Sequence, residues 1–485
     1  MLKAVMRATT ALRTTALYTA LCTALLMSFS VMAAFNTETE EPYPSFYGAR
    51  SVISNQQSIT GSDIQFQRRA IAPGVTNEEE ASENEAAPPV LATPSRTELT
   101  ALPLSAVTLS RNDKLLAKKA YYYFEQNWNE KTGFFDSVQG YHHTTMWDVA
   151  SGIAAILSAE GLALITTEQA NDKLTKTLAT LQALPLYEQS LPNREYSTRT
   201  ATPSGRYSTD SSNGNGWSAL DIGRLLIWLE IVRTHKPKFN PIIQRIVDKW
   251  QLEKAVFQGT LYGELKTGQK SYYRQEGRLG YLQYAAYGYK LFGFDVSTAY
   301  KQQDIAQVTV EGIPLVVDQR NLAYFTTDPY VLLGIEIGNQ KQWWNQLNAL
   351  FELHKLKSTK EASYWVFAED AMSRAPWFSY NNMYIYGKAW VSIAPGGQPI
   401  ENPQIFSNKA AFALSVLFDG DDFGYELAEQ VVANSLPHRA VPTGVYLNGG
   451  PNTAYNINTN SLILSALWYK KRHYTPLIKP SSAVL

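Results

Sequence analysis

Six carboxylates stand where they could do acid–base chemistry: Asp148, Asp221, Glu276, Asp328, Glu369 and Asp370. Around them lie Tyr, Trp, Asn and Arg, the mixture a sugar site needs. Aromatic faces pack on the C–H faces of pyranose rings, amides and guanidinium groups hydrogen-bond hydroxyls, and a pair of carboxyls protonates a leaving oxygen and activates water. Asp148 closes Thr145-Met-Trp-Asp148 and Asp221 closes Ser218-Ala-Leu-Asp221. Both strings are capping boxes, so each acid has a helix-capping role as well as a catalytic one to fill, and a capped first turn can still meet a ligand. Asp328 precedes Pro329 and reads as an N-cap ahead of proline at the first helical position. Glu276 follows Tyr273 by three residues, so no capping box accounts for it. It is either a general acid, its carboxyl raised by aromatic surroundings, or the ion-pair partner of Arg274 or Arg278. Glu369 and Asp370 lie in an aromatic segment and supply either the second catalytic carboxylate or a salt bridge to Arg374.

Substrate contacts are expected from Trp147, Trp217, Tyr281, Trp377, Tyr380 and Tyr446, each of which could equally be core packing, and from Arg194 and Arg224. Trp377 and Tyr446 are the best placed to stack on a sugar, because their loops contain Pro and Gly. The segment from Leu191 to Gly216 is rich in Pro, Gly and Asn, which favours turns, and is long for a loop without function. It is expected to form a wall or lid that sets Arg194, Tyr196 or Arg199 against substrate. No phosphate-binding loop, nucleophile elbow, zinc-protease or dinucleotide motif is present, and His142 and His143 are adjacent rather than at metal-ligand spacing. No metal and no cofactor is expected.

The elements that position these residues are helices of two kinds. Ala170, Leu174, Leu178 and Leu181 form an amphipathic stripe, as do Trp343, Trp344, Leu347, Leu350 and Phe351. In contrast, Trp147–Leu157, Trp217–Val232 and Phe412–Phe418 are apolar almost all round and must be enclosed by other helices. The two kinds alternate. Buried helices are expected from near Thr145, Ser218, Glu276, Asp328, Ser407 and Asn456, and exposed ones from near Arg111, Thr167, Phe239, Phe294, Gln340 and Asp421. This predicts an all-α (α/α)6 toroid, a double ring of about twelve helices over residues 106–475, with one minor β-hairpin at Ile305–Val317, where the pattern alternates. In such a ring the loops entering the inner helices line one depression, and there the distant acids would meet.

Residues 1–34 carry Lys3, Arg7 and Arg13 ahead of an apolar run and end in small residues, which predicts a cleaved secretory signal peptide. Residues 35–105, acidic and proline-containing, read as a disordered linker, and 476–485 as a short tail. Cys22, the one cysteine, lies in the signal segment, so the mature protein would lack disulfides, cysteine nucleophiles and thiolate metal sites. With 43 basic and 43 acidic residues the chain is no nucleic-acid binder working by bulk positive charge, and its 12% aromatic content excludes a wholly disordered protein.

The strings HTTMWDVASGIAAILSAEGL, TLQALPLYEQSLPNREYST and GWSALDIGRLLIWL resemble the bacterial domain-of-unknown-function family numbered 3131, over roughly Lys114 to Lys471. Trp147, Asp148, Trp217, Asp221 and Arg224 fall in the matching motifs. That family is similar to the glucoamylase-like (α/α)6 proteins around glycoside hydrolase family 144, and its members occur near exopolysaccharide synthesis and export genes. The resemblance implies a polysaccharide-related role. Together with the loop chemistry it leads to an expected monomeric glycoside hydrolase, periplasmic or secreted, acting on a bacterial glucan or exopolysaccharide. Exopolysaccharide machinery is a possible partner, and the alternative is a noncatalytic glycan-binding or scaffolding protein.

Overall fold

The computed structural model describes residues 107–478, apart from 206–207, 209–211, 268–269, 302–303, 321–323 and 339–340. The expected signal segment, the linker and residues 479–485 of the tail lie outside the described residues. Six helices are buried over most of their surface: α2 (Met146–Gly161), α4 (Ala219–His235), α6 (Tyr281–Leu291), α7 (Asp328–Leu332, continued by a π turn over Leu333–Ile337), α9 (Asn408–Leu417) and α11 (Ile457–Lys471). Five others bury one side: α1 (Arg111–Gln126), α3 (Thr167–Ala183), α5 (Asn240–Lys249), α8 (Lys341–Glu361) and α10 (Asp422–Ser435). The buried helices touch in the order α2, α4, α6, α7, α9, α11, and α11 returns to α2.

Helix starts follow local chemistry. Thr145, Ser218 and Asn456 each accept a hydrogen bond from the third residue of the helix they cap, which satisfies an amide that the helix itself leaves open. Asp328, expected as the N-cap of α7, is instead its first residue, and Pro329 follows within the first turn, where its missing N–H costs nothing. Helices α4 and α6 approach backbone to backbone at Gly223 and Gly288. A Cβ on Gly288 would fall 2.0 Å from the Gly223 carbonyl, so an alanine there must push the two helices apart.

Two expectations are corrected. The exposed helix expected near Phe294 is one 3-10 turn, Ser297–Tyr300, and the hairpin of β8 (Ile305–Val310) and β9 (Ile313–Asp318) packs on α8 beyond it. Gln346 of α8 fastens that hairpin by bonds to both the N–H and the carbonyl of Val316. Nor is the hairpin the sole β element: the described residues contain six small antiparallel sheets. Besides β8–β9 they pair β1 (His143–Thr144) with β4 (Tyr196–Ser197), β2 (Leu186–Tyr187) with β3 (Leu191–Pro192), β5 (Val256–Phe257) and β7 (Lys270–Gln275) with β6 (Thr260–Thr267), β10 (Glu369–Ala371) and β12 (Lys388–Ile393) with β11 (Phe378–Ile385), and β13 (Gln404–Ser407) and β15 (Pro451–Asn452) with β14 (Gly444–Tyr446). All lie on connections leading into buried helices. Of the expected tail, Leu477 and Ile478 are buried, and their amides donate to the carbonyls of Ile335 and Glu336 in the π turn.

Candidate active site

The first turns of the buried helices gather at one end of the bundle, as bonds between them show. Asp148 in α2 accepts from Asn458 Nδ2 of α11 at 2.9 Å, and Lys409 in α9 sits 2.7 Å from Asp328 of α7. Asp148 also completes its capping box, accepting from the Thr145 amide at 3.2 Å. Ser218 Oγ likewise accepts from the Asp221 amide at 3.2 Å.

Glu276 directly follows β7 and precedes α6 rather than beginning it, because Gly277 and Gly280 hold positive φ and delay the helix to Tyr281. Its carboxylate instead meets the N-terminus of α4. Oε2 accepts from the Ala219 amide at 2.5 Å and the Leu220 amide at 3.4 Å, while Oε1 lies 3.7 Å from the Arg194 guanidinium. The ion-pair partner is therefore Arg194, and Arg278 turns instead to Gln275 and the Gly277 carbonyl. Gly263 lies beneath this carboxylate, leaving no room for a Cβ.

Burial raises the Glu276 carboxyl to about 7, against the pull of Arg194 and with a push from the neighbouring Asp221 charge. Asp370 is raised to about 7 in the same way, with Lys409 opposing and Asp328 adding. Both side chains are fully buried. A folded state that keeps these protons while the unfolded chain, with ordinary values of 4.5 and 3.8, has released them loses stability as pH rises. The loss runs from about pH 4 to 7 and is complete above that window. Glu276→Gln and Asp370→Asn are each expected to flatten this decline in urea midpoints measured across the window; an unchanged slope would mean the carboxyl is ionised throughout.

The second acidic group forms around Lys409. Its ammonium bridges Asp328 and, at 3.3 Å, Asp370, and donates to the Glu369 carbonyl at 2.5 Å. The Glu369 amide donates to Asp328 Oδ2, and Asp370 Oδ2 accepts from Gln404. Arg374, the expected partner of this pair, lies instead over the Tyr446 ring, 3.6 Å from its centroid.

Near the bundle axis, Arg224 stacks under Trp147 at 4.6 Å and pairs with Glu336 at 3.3 Å. Trp147 also meets the edges of Tyr281 and Tyr284, and Tyr284 donates to Glu336. Trp217 is buried between Tyr187 and Tyr273. Tyr380 stands apart, fully buried and stacked on Tyr324 at 3.9 Å in a satellite cluster. Trp377, with φ 68°, is the partly exposed ring of the six expected binders.

The described residues of the Leu191–Gly216 segment form a stitched arm across the starts of α2 and α4. Tyr196 is buried, and its hydroxyl bonds the Asn193 amide and the Pro185 carbonyl. Arg199 reaches His142. Glu195, between Arg194 and Tyr196, gathers Tyr141 and His143; it is not among the residues expected from the sequence, and its place in an aromatic, arginine-bearing stretch is the signal that marks it. Lys409 and Glu336 gave no such signal, each sitting in an apolar helix.

No curated protein matches the chain in sequence. In fold it is similar to a candidate glucoamylase from Bacteroides uniformis, at 12% identity, with 76% of this chain and 96% of that chain covered and a TM-score of 0.56. It is also similar to an endo-β-1,2-glucanase from Chitinophaga pinensis in complex with sophorotriose and glucose, at 12% identity, 76% and 97% coverage and a TM-score of 0.52. A third likeness is to an endo-β-1,2-glucanase from Talaromyces funiculosus in complex with sophorose, at 12% identity, 75% and 86% coverage and a TM-score of 0.50. The family described as "Protein of unknown function (DUF3131)" matches residues 115–473, well over half of the chain, and the chain therefore belongs to it.

Proposed function

We propose that this protein is an exported glycoside hydrolase that cleaves a bacterial glucan or exopolysaccharide by carboxylate acid–base catalysis. The observation that carries the reading is the meeting of Asp221, Glu276 and Arg194 at the start of a buried helix, in a fold similar to that of two endo-β-1,2-glucanases. The scaffold is an (α/α)6 double ring in which the turn at Ser297–Tyr300 replaces one outer helix. Asp221 and Glu276 are like charges held beside one guanidinium, so near neutral pH the pair keeps a proton. Asp221 is 8% exposed and Glu276 1%, which makes Asp221 the member that hands the proton to a leaving oxygen and Glu276 the group behind it. Asp148 and Glu369 lie farther round the same end, tied into a capping box and the Lys409 clamp. Trp147, Arg224 and Tyr281, packed on one another, serve as the site's floor, and Trp217 and Trp377 as further sugar contacts. The enzyme works as a monomer in the periplasm or outside the cell, its signal peptide removed, beside exopolysaccharide synthesis or export machinery.

Digestion of a panel containing β-1,2-glucan, other β-glucans and bacterial exopolysaccharides, read by mass spectrometry, tests the reading, and shortened chains are expected. The capping and burial of Asp148 and Glu276 favour a second reading, a glycan scaffold without catalysis. Fragment binding without any product after long incubation would select it.

A further inference from the structure

Hydrolysis needs a second carboxylate that activates water, and it must touch that water. Asp148 and Glu369 are buried to within 2% of their surface; the Asp148 carboxylate already serves a helix start, and the main chain of Glu369 is held by the buried Lys409 clamp. The side chain of Glu195, by contrast, is 16% exposed. Its Oε1 accepts from the Tyr141 hydroxyl at 2.9 Å and lies 3.1 Å from His143 Nδ1, which also meets Ser204 Oγ at 2.7 Å.

The backbone around it is fixed. β4, which begins at the next residue, pairs with β1, and β1 leads directly into the Thr145 cap of α2. On its other side, the Arg194 amide donates to the Gly216 carbonyl at the entrance to α4, and its guanidinium reaches Glu276. Successive residues of an extended segment point opposite ways, so one arm presents Arg194 to the Asp221–Glu276 pair and Glu195 to Tyr141 and His143. Asp148 and Glu195 both bear electrostatically on Tyr141, which places this carboxylate on the side of the site where α2 begins.

The geometry points to Glu195 as a further catalytic residue, the base that takes a proton from the attacking water; this rests on the hydrolase reading. In that step the water oxygen bonds to the anomeric carbon as the bond from that carbon to the leaving oxygen breaks. One water proton passes to Glu195, and the proton that the Asp221–Glu276 pair keeps passes through Asp221 to the leaving oxygen. One water is consumed, two chain ends form and nothing is oxidised or reduced; exchange with solvent restores both carboxyls.

Glu195→Gln keeps an oxygen for Tyr141 and is expected to bind glucan fragments like the wild type while turnover falls by about 10²–10⁴-fold. Glu195→Ala is expected to regain turnover with added azide, a small anion that needs no base, and to yield a glycosyl azide. Turnover of Glu195→Gln within threefold of wild type overturns the assignment. So does a loss in Glu195→Ala that azide leaves unrestored, which would make Glu195 a clamp between the two loops. If the wild type shortens no polysaccharide of the panel, the hydrolase reading itself falls and takes this role with it.

Discussion

Lys409→Met is expected to destabilise the protein by about 3–5 kcal/mol, the range for removing one partner of a buried ion pair. The lysine is 4% exposed and stands between two carboxylates that are themselves buried, Asp328 at 2.7 Å and Asp370 at 3.3 Å. Methionine fills the space of the stem but leaves the two acids facing each other in a medium that screens them poorly. Protonation relieves that repulsion, so the loss read from urea unfolding is expected to be larger at about pH 8 than at about pH 5. Asp370→Asn should recover part of it, as neighbours sharing one network couple. A cost below about 1 kcal/mol at the higher pH would show that this cluster is held by its surroundings rather than by the lysine. The clamp also ties β10 to the first turns of α7 and α9, so loss of stability here is expected to loosen the loop that carries Trp377.

Asp221→Asn is expected to lower kcat by about 10²–10⁴-fold on whichever polysaccharide the wild type cleaves, with KM little changed. The exchange is isosteric, and the helix start survives it, because Ser218 caps through the backbone amide of residue 221 rather than its side chain. A second readout separates chemistry from folding. Removing the Asp221 charge removes one of the forces that raise Glu276. The Glu276 carboxyl should therefore fall from about 7 toward its ordinary value, and the decline of stability with pH should move to lower pH. Turnover within threefold of wild type would take the proton-donor role away from Asp221. A pH dependence unmoved by the substitution would show that the two carboxylates are not coupled.

Helix starts and helix faces were legible because their causes are local. Thr145, Ser218 and Asn456 cap the helices that follow them, and the all-round apolar runs after Trp147 and Trp217 are buried, since a cap and a face depend on residues three or four apart. The alternation from Ile305 to Val317 likewise became a hairpin. The motif strings sufficed for the family. Short sheets such as β6–β7 and β10–β11 were less visible, because their strands are held by pairing across the connections and by packing on helix ends, not by a long local pattern.

What tertiary structure alone decided is which charges meet. Glu276 stands beside Arg274 and near Arg278 in sequence, yet it pairs with Arg194, brought in by an arm that runs from α3 to α4. Arg374 follows Glu369 and Asp370 closely but covers Tyr446, and their counter-charge is Lys409. Arg224 finds Glu336 across the bundle axis. Tyr380 had the composition of a sugar-binding loop and became core. Coulomb energy and desolvation depend on separation in space and on depth from water, neither of which sequence spacing records once the chain closes on itself. The residue types of a sugar site were therefore present in the sequence, while the choice between a carboxylate that caps, one that is clamped and one that faces water was made by the packing of the buried helices.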